Sequence, residues 1–160
     1  MARALRDEDY RRLLALRTGL RRFLRWSEEQ ALEAGLAPAQ HQLLLAIRGH
    51  DDPRGPTIGD VADYLLLRHH SAVELTQRAE ASGLLVRRED PTDRRVVRLR
   101  ITPKGNAALR KLTAQHLEEL DRLADDLRPL WFGLEQSAQG ATSAPATPGP
   151  SPRRAPAKGA

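Results

Sequence analysis

Residues 84–102, "LLVRREDPTDRRVVRLRIT", constrain the fold more than any other part of the chain. Pro91 has no amide hydrogen and a fixed φ, so no regular helix passes through this stretch. "LLVRRE" leads into "DPTD", which has turn chemistry, and "RRVVRLRI" returns, which is the pattern of a β-hairpin. Alternation on the return strand puts Val97, Leu99 and Ile101 on one face, to seat the hairpin on a core. Arg98 and Arg100 fall on the other, where outward basic residues blunt a sheet edge.

Helical patterns lie on both sides. Residues 7–33 carry Leu13, Leu16, Leu20, Phe23 and Leu24 at helical spacing, and Gly35 ends that run. In "LAPAQHQLLLAIRG", Pro38 suits a first helical turn and Leu43, Leu44 and Ile47 form a buried stripe. After the loop "HDDPRGP", Thr57 and Asp60 form a variant capping box for a short helix. A further helix runs from about His69 to Ser82, with Ala72, Leu75 and Ala79 inward and Gly83 at its C-terminal cap. The tight connection near residues 66–68 gives helix-turn-helix spacing. Thr102 and Pro103 then open a long helix with Leu109, Leu112, Leu120, Leu123, Leu127 and Leu130 at near-heptad spacing and His116 in the seam. Pro129 is expected to kink or end it.

The predicted class is mainly α with a small two-stranded β wing: a winged helix-turn-helix flanked by N- and C-terminal dimerisation helices. The winged domain is expected over residues 1–135. Its dimerisation helices lie at about 7–33 and 103–133, its helix-turn-helix at about 57–83 and its wing at about 84–102. The terminal stripes are longer than a domain of this size can bury alone, which argues for a homodimer. Residues 136–160 are Ala, Pro, Gly, Ser and Thr with little to bury, and are expected to form a disordered tail.

Composition narrows the function. The net charge is +5, and Lys and Arg together number 26 of 160, an average of about two per 14-residue window. Residues 87–100 hold Arg87, Arg88, Arg94, Arg95, Arg98 and Arg100, so the basic cluster exceeds the background. Cysteine is absent, which excludes disulfides and thiolate chemistry and makes a cytoplasmic location the default. No apolar run suits a membrane span or signal peptide. No phosphate loop or nucleophile motif appears, so no enzyme is expected. The five histidines have no ligand spacing: His69 and His70 point about 100° apart on a helix, and His41, His50 and His116 are scattered. Neither metal nor cofactor is expected.

The run "GLLVRREDPTDRRVVRLRITPKG" resembles the wing signature of the MarR family of bacterial transcription regulators. Gly83-Leu84 match the end of the family's recognition helix, Asp93-Arg94-Arg95 its wing tip, and Ile101-Thr102-Pro103-Lys104-Gly105 the opening of its last helix. "LAPAQHQLLLAI" is similar to the helix before its helix-turn-helix. The pattern departs at Ala37, Leu66 and Arg68, where a hydroxyl residue, a glycine and a small cap are usual.

The resemblance implies a cytoplasmic homodimeric repressor on a pseudo-palindromic operator of double-stranded DNA, with recognition helices in the major groove and wings along the minor groove. The candidate contacts on the helix are then His69, His70, Ser71, Val73, Glu74, Gln77 and Arg78. Gln can pair with adenine, Glu accepts from cytosine and Val can meet a thymine methyl. Arg94 and Arg95 are the candidates for the minor groove, and Asp93 is read as an internal brace for the tip. Release by a small aromatic or anionic effector is also implied, with Arg22, Trp26, His41 and His116 as the possible pocket. The alternative is a winged-helix protein-interaction module without DNA readout.

Overall fold

The computed structural model describes residues 5–139, with side chains through Ala124 and at Arg128. Helices α1 (Asp7–Glu33), α2 (Pro38–Gly49), α3 (Ile58–Tyr64) and α4 (His69–Ala81) precede strands β1 (Leu85–Glu89) and β2 (Val97–Ile101), and α5 (Pro103–Gln139) follows. The predicted mainly helical class with a two-stranded wing is the observed one.

Local chemistry explains the boundaries. Thr57 and Asp60 cap α3 reciprocally: the Asp60 amide donates to Thr57 Oγ1 at 3.2 Å, and the Thr57 amide donates to Asp60 Oδ2 at 2.7 Å. At α2, where Ala37 offers no side-chain acceptor, Gln40 Oε1 takes the Ala37 amide at 3.2 Å instead. Gly83 leaves α4 at φ 71°. The turn between α3 and α4 departs from this economy. Leu66 sits at φ 53° and is 92% exposed. A side chain in that region costs about 1–2 kcal/mol, so the turn carries strain that a glycine relieves.

Two apolar clusters hold the domain. Leu43, Ile47, Val61, Ala72, Leu75, Ala79, Leu85 and Leu99 join α2, the helix-turn-helix and the wing base. Leu36, Leu44, Leu84, Leu109 and Leu112 join α2 to the start of α5. The stripe predicted for α1 is different. Ala31 is its one buried residue, while Leu13, Leu20 and Leu24 are 50%, 46% and 55% exposed. On α5, Leu117 and Leu120 are likewise exposed.

Three sequence expectations need correction. The β-strands pair antiparallel from Leu85↔Ile101 to Glu89↔Val97, so the wing loop is Asp90–Val96, longer than the four-residue turn. Within it the Asp90 amide reaches across to Val96 O at 2.8 Å, while the Val96 amide turns back to Asp93 O at 2.9 Å instead of returning to Asp90. Second, Val97 does not seat the wing: it lies at the loop end of the ribbon, paired with Glu89, and is 36% exposed, whereas Leu99 is fully buried. Third, of the kink or end expected at Pro129 the end does not occur, and α5 runs to Gln139. A proline removes one i to i−4 bond, which kinks a helix without having to end it. Residues 136–139 therefore continue α5, and the rest of the expected tail lies outside the described residues.

Candidate nucleic-acid interface

Helix α4 shows two unlike faces. Ala72, Leu75, Thr76 and Ala79 are buried, and the Thr76 hydroxyl is satisfied by donating to Ala72 O at 2.7 Å. Opposite them, His69, His70, Glu74, Gln77 and Arg78 are exposed, and Ser71 and Val73 are half-buried at the flanks. All seven candidate contacts therefore lie off the core-facing side of one helix. Glu80 is committed elsewhere. It accepts Arg87 Nε at 2.7 Å and the Arg87 amide at 3.2 Å, tying the last turn of α4 to β1.

At the wing tip Asp93 and Arg95 form a two-point pair. Arg95 Nε donates to Asp93 Oδ1 and Nη2 to Oδ2, each at 3.0 Å. The Arg95 side chain is nonetheless 91% exposed, held outward rather than hidden. These side-chain bonds, with that of the Arg95 amide, hold the Asp93 carboxyl below its usual range. Arg94 is exposed beside it.

The junction between the wing loop and residues 52–57 holds a charge network that sequence reasoning misses. Asp90 is 2% exposed. Its Oδ1 accepts the Thr92 hydroxyl at 2.6 Å and the amides of Thr92 and Asp93 at 2.8 and 3.3 Å. Its Oδ2 accepts Arg98 Nε at 2.8 Å and Arg54 Nη1 at 3.1 Å. The Thr92 bonds first, then Arg98, hold the Asp90 carboxyl far below the ordinary range. Arg98 is thus no solvated edge residue: its side chain is 14% exposed and also donates to Gly55 O at 3.1 Å. Arg54 is held in turn by Asp52 through contacts of 2.8 to 3.1 Å, which lower Asp52 to about 2. The sequence holds one clue, since Asp-Pro-Thr is a side-chain-to-backbone turn sequence. Nothing in sequence spacing points to Arg54, 36 residues away.

The four residues read as a ligand pocket separate into two layers. Arg22 and Trp26 line a groove of ≈ 590 Å³ between α1 and α5, together with Phe23, Leu14 and Glu119. His116 packs against Trp26 at 4.9 Å between ring centroids with the planes tilted by 56°, and His41 against His116 at 4.7 Å with a tilt of 52°. His116 Nε2 and Ser27 Oγ are 2.7 Å apart, which links α5 to α1. His41 is 4% exposed, and burial followed by the neighbouring His116 lowers its pKa.

A pH dependence follows. The unfolded chain takes up the His41 proton near pH 6.5, and the folded chain does so only at lower pH. The contribution of His41 to stability is complete above about pH 6.5 and is lost as pH falls through the folded value. Urea midpoints are expected to drop between pH 7.5 and 5.5, and His41→Gln is expected to flatten that drop. An equal slope in both proteins would assign the effect to other histidines.

Among the described residues no group of three or more His, Asp or Glu is placed to hold a metal. No described helix is long and apolar enough to cross a membrane.

Residues 34–96 match the model of the MarR family. The chain is 32% identical over 90 residues to the HTH-type transcriptional regulator MhqR of Bacillus subtilis (strain 168), across 56% of this chain and 59% of MhqR. The chain thus spans under two thirds of that relative's length. Two solved structures share the fold. CouR of Rhodococcus jostii RHA1, bound to p-coumaroyl-CoA, has a TM-score of 0.63 at 20% identity, over 85% of this chain and 93% of CouR. A variant of S. aureus MepR bound to an oligodeoxyribonucleotide has a TM-score of 0.57 at 16% identity, over 79% of this chain and 94% of MepR.

Proposed function

We propose that the chain is a member of the MarR family, whose model matches residues 34–96, and that it is a DNA-binding transcriptional regulator, a homodimeric repressor of a pseudo-palindromic operator rather than an enzyme. The observation that carries this reading is the pairing of α4's exposed polar face with a wing tip that holds Arg95 and Arg94 in solvent. A recognition helix supplies base contacts, and arginine on a narrow wing suits the electronegative minor groove.

The homodimer is supported by Leu13, Leu20 and Leu24 on α1 with Leu117 and Leu120 on α5, all left exposed in one chain. A two-fold axis doubles the recognition helices and sets the half-site spacing. Effector release is the finer part of the proposal. The groove beside Arg22 and Trp26 offers two cations, Arg11 and Arg22, against the one carboxylate of Glu119, and an aromatic wall of Phe23 and Trp26, which suits a small aromatic or anionic molecule.

Selection of bound duplexes from a random pool tests the reading. A two-fold-symmetric motif is expected, with affinity that falls steeply with salt. Recovery of no motif, together with salt-independent binding to a protein partner, would favour a protein-interaction module instead.

A further inference from the structure

The α2–α3 loop grips the wing from outside the hairpin. Thr57 bridges to Arg98, and the Leu99 amide donates to Pro56 O at 2.9 Å, so residues 56–57 form an abbreviated third strand beside β2. Gly55 makes this approach possible. It sits at φ +88°, and a Cβ there would lie 2.2 Å from Leu99 O. The charged chain Asp52, Arg54, Asp90, Arg98 runs across the same junction, with a further Arg98–Asp52 contact at 3.5 Å. Asp90 is its pivot. One oxygen holds the Thr92 and Asp93 amides of the wing loop, and the other holds Arg98 of β2 and Arg54 of the α2–α3 loop. Arg94 and Arg95 follow directly on the residues so held.

We propose that Asp52, Arg54 and Asp90 are positioning residues for DNA binding. Resting on the DNA-binding reading above, they fix the wing loop against the α2–α3 loop so that Arg94 and Arg95 are presented in one orientation. Asp90 and Asp52 are anions in the basic half of the molecule. If they acted only through charge, removing either would reduce repulsion of phosphate and tighten binding. Positioning demands the opposite sign. A loosened wing spends part of its time with the tip arginines misplaced, and affinity falls by that fraction.

The test is the operator affinity of Asp90→Asn, Asp52→Asn and Arg54→Met at one salt concentration, beside amide exchange of Thr92 and Asp93 in the free proteins. The expected result is a loss of about tenfold for Asp90→Asn and about threefold for Asp52→Asn, with faster exchange at Thr92 and Asp93 in both. Arg54→Met and Asp90→Asn combined should lose less than the product of the two separate losses. Asp52 lies at the surface, so Asp52→Asn preserves the test if Asp90→Asn does not fold. Tighter or unchanged binding by a folded Asn variant overturns the proposal, as does unchanged exchange at Thr92 and Asp93. A wild-type protein that binds no duplex, with exchange still dependent on Asp90, would remove the DNA reading and leave the clamp as a feature of the fold alone.

Discussion

Leu20→Glu combined with Leu24→Glu is expected to yield a folded monomer that no longer holds its operator. The two leucines are 46% and 55% exposed in the single chain, so charge at these positions costs the isolated fold little. In a two-fold dimer each appears twice. Burial of a leucine contributes about 1.5–3 kcal/mol, so replacing four leucines removes on the order of 6 kcal/mol, or about four orders of magnitude in the dimer dissociation constant. Four new carboxylates at the interface weaken it further. Sedimentation should give a monomer mass with an unchanged helical signal. Operator binding should fall to the level of a single half-site. A dimer of normal stability would mean that α1 does not form the interface.

The same leucines show where sequence reasoning stops. Helical spacing identifies the stripe on α1, but a stripe covered by its own domain and one covered by a partner have the same spacing. The stripe on α2 has that spacing too, and there Leu43, Leu44 and Ile47 are all buried within the one chain. On α4 the outward set follows by subtraction once Ala72, Leu75 and Ala79 are placed inward. The cap at Thr57 is legible because its two partners are three residues apart. The wing clamp is not. Asp90 and Arg54 meet only because the α2–α3 loop and the hairpin pack side by side, and in an arginine-rich chain no single arginine stands out. Arg98 escapes for the same reason: alternation tells which side of β2 it occupies, but not that residues 52–57 cover that side.

Arg95→Ala should weaken binding to every duplex sequence, and it should flatten the salt dependence. Arg95 is 91% exposed and tethered in two places to Asp93, so the guanidinium is already extended and gives up little freedom when it meets a phosphate. Removing one phosphate contact from each of the two wings of a dimer lowers the slope of log affinity against log salt by about two. Two effects combine in this variant, since removing Arg95 also leaves the Asp93 carboxylate uncompensated near the phosphates. Asp93→Asn separates them. A brace predicts weaker binding for Asp93→Asn, because Arg95 is then free to wander, whereas a merely repulsive carboxylate predicts tighter binding. The double variant Arg95→Ala with Asp93→Ala should bind better than Arg95→Ala alone, by the repulsion removed. A salt slope unchanged in Arg95→Ala would place the tip away from the duplex and leave α4 as the sole reader.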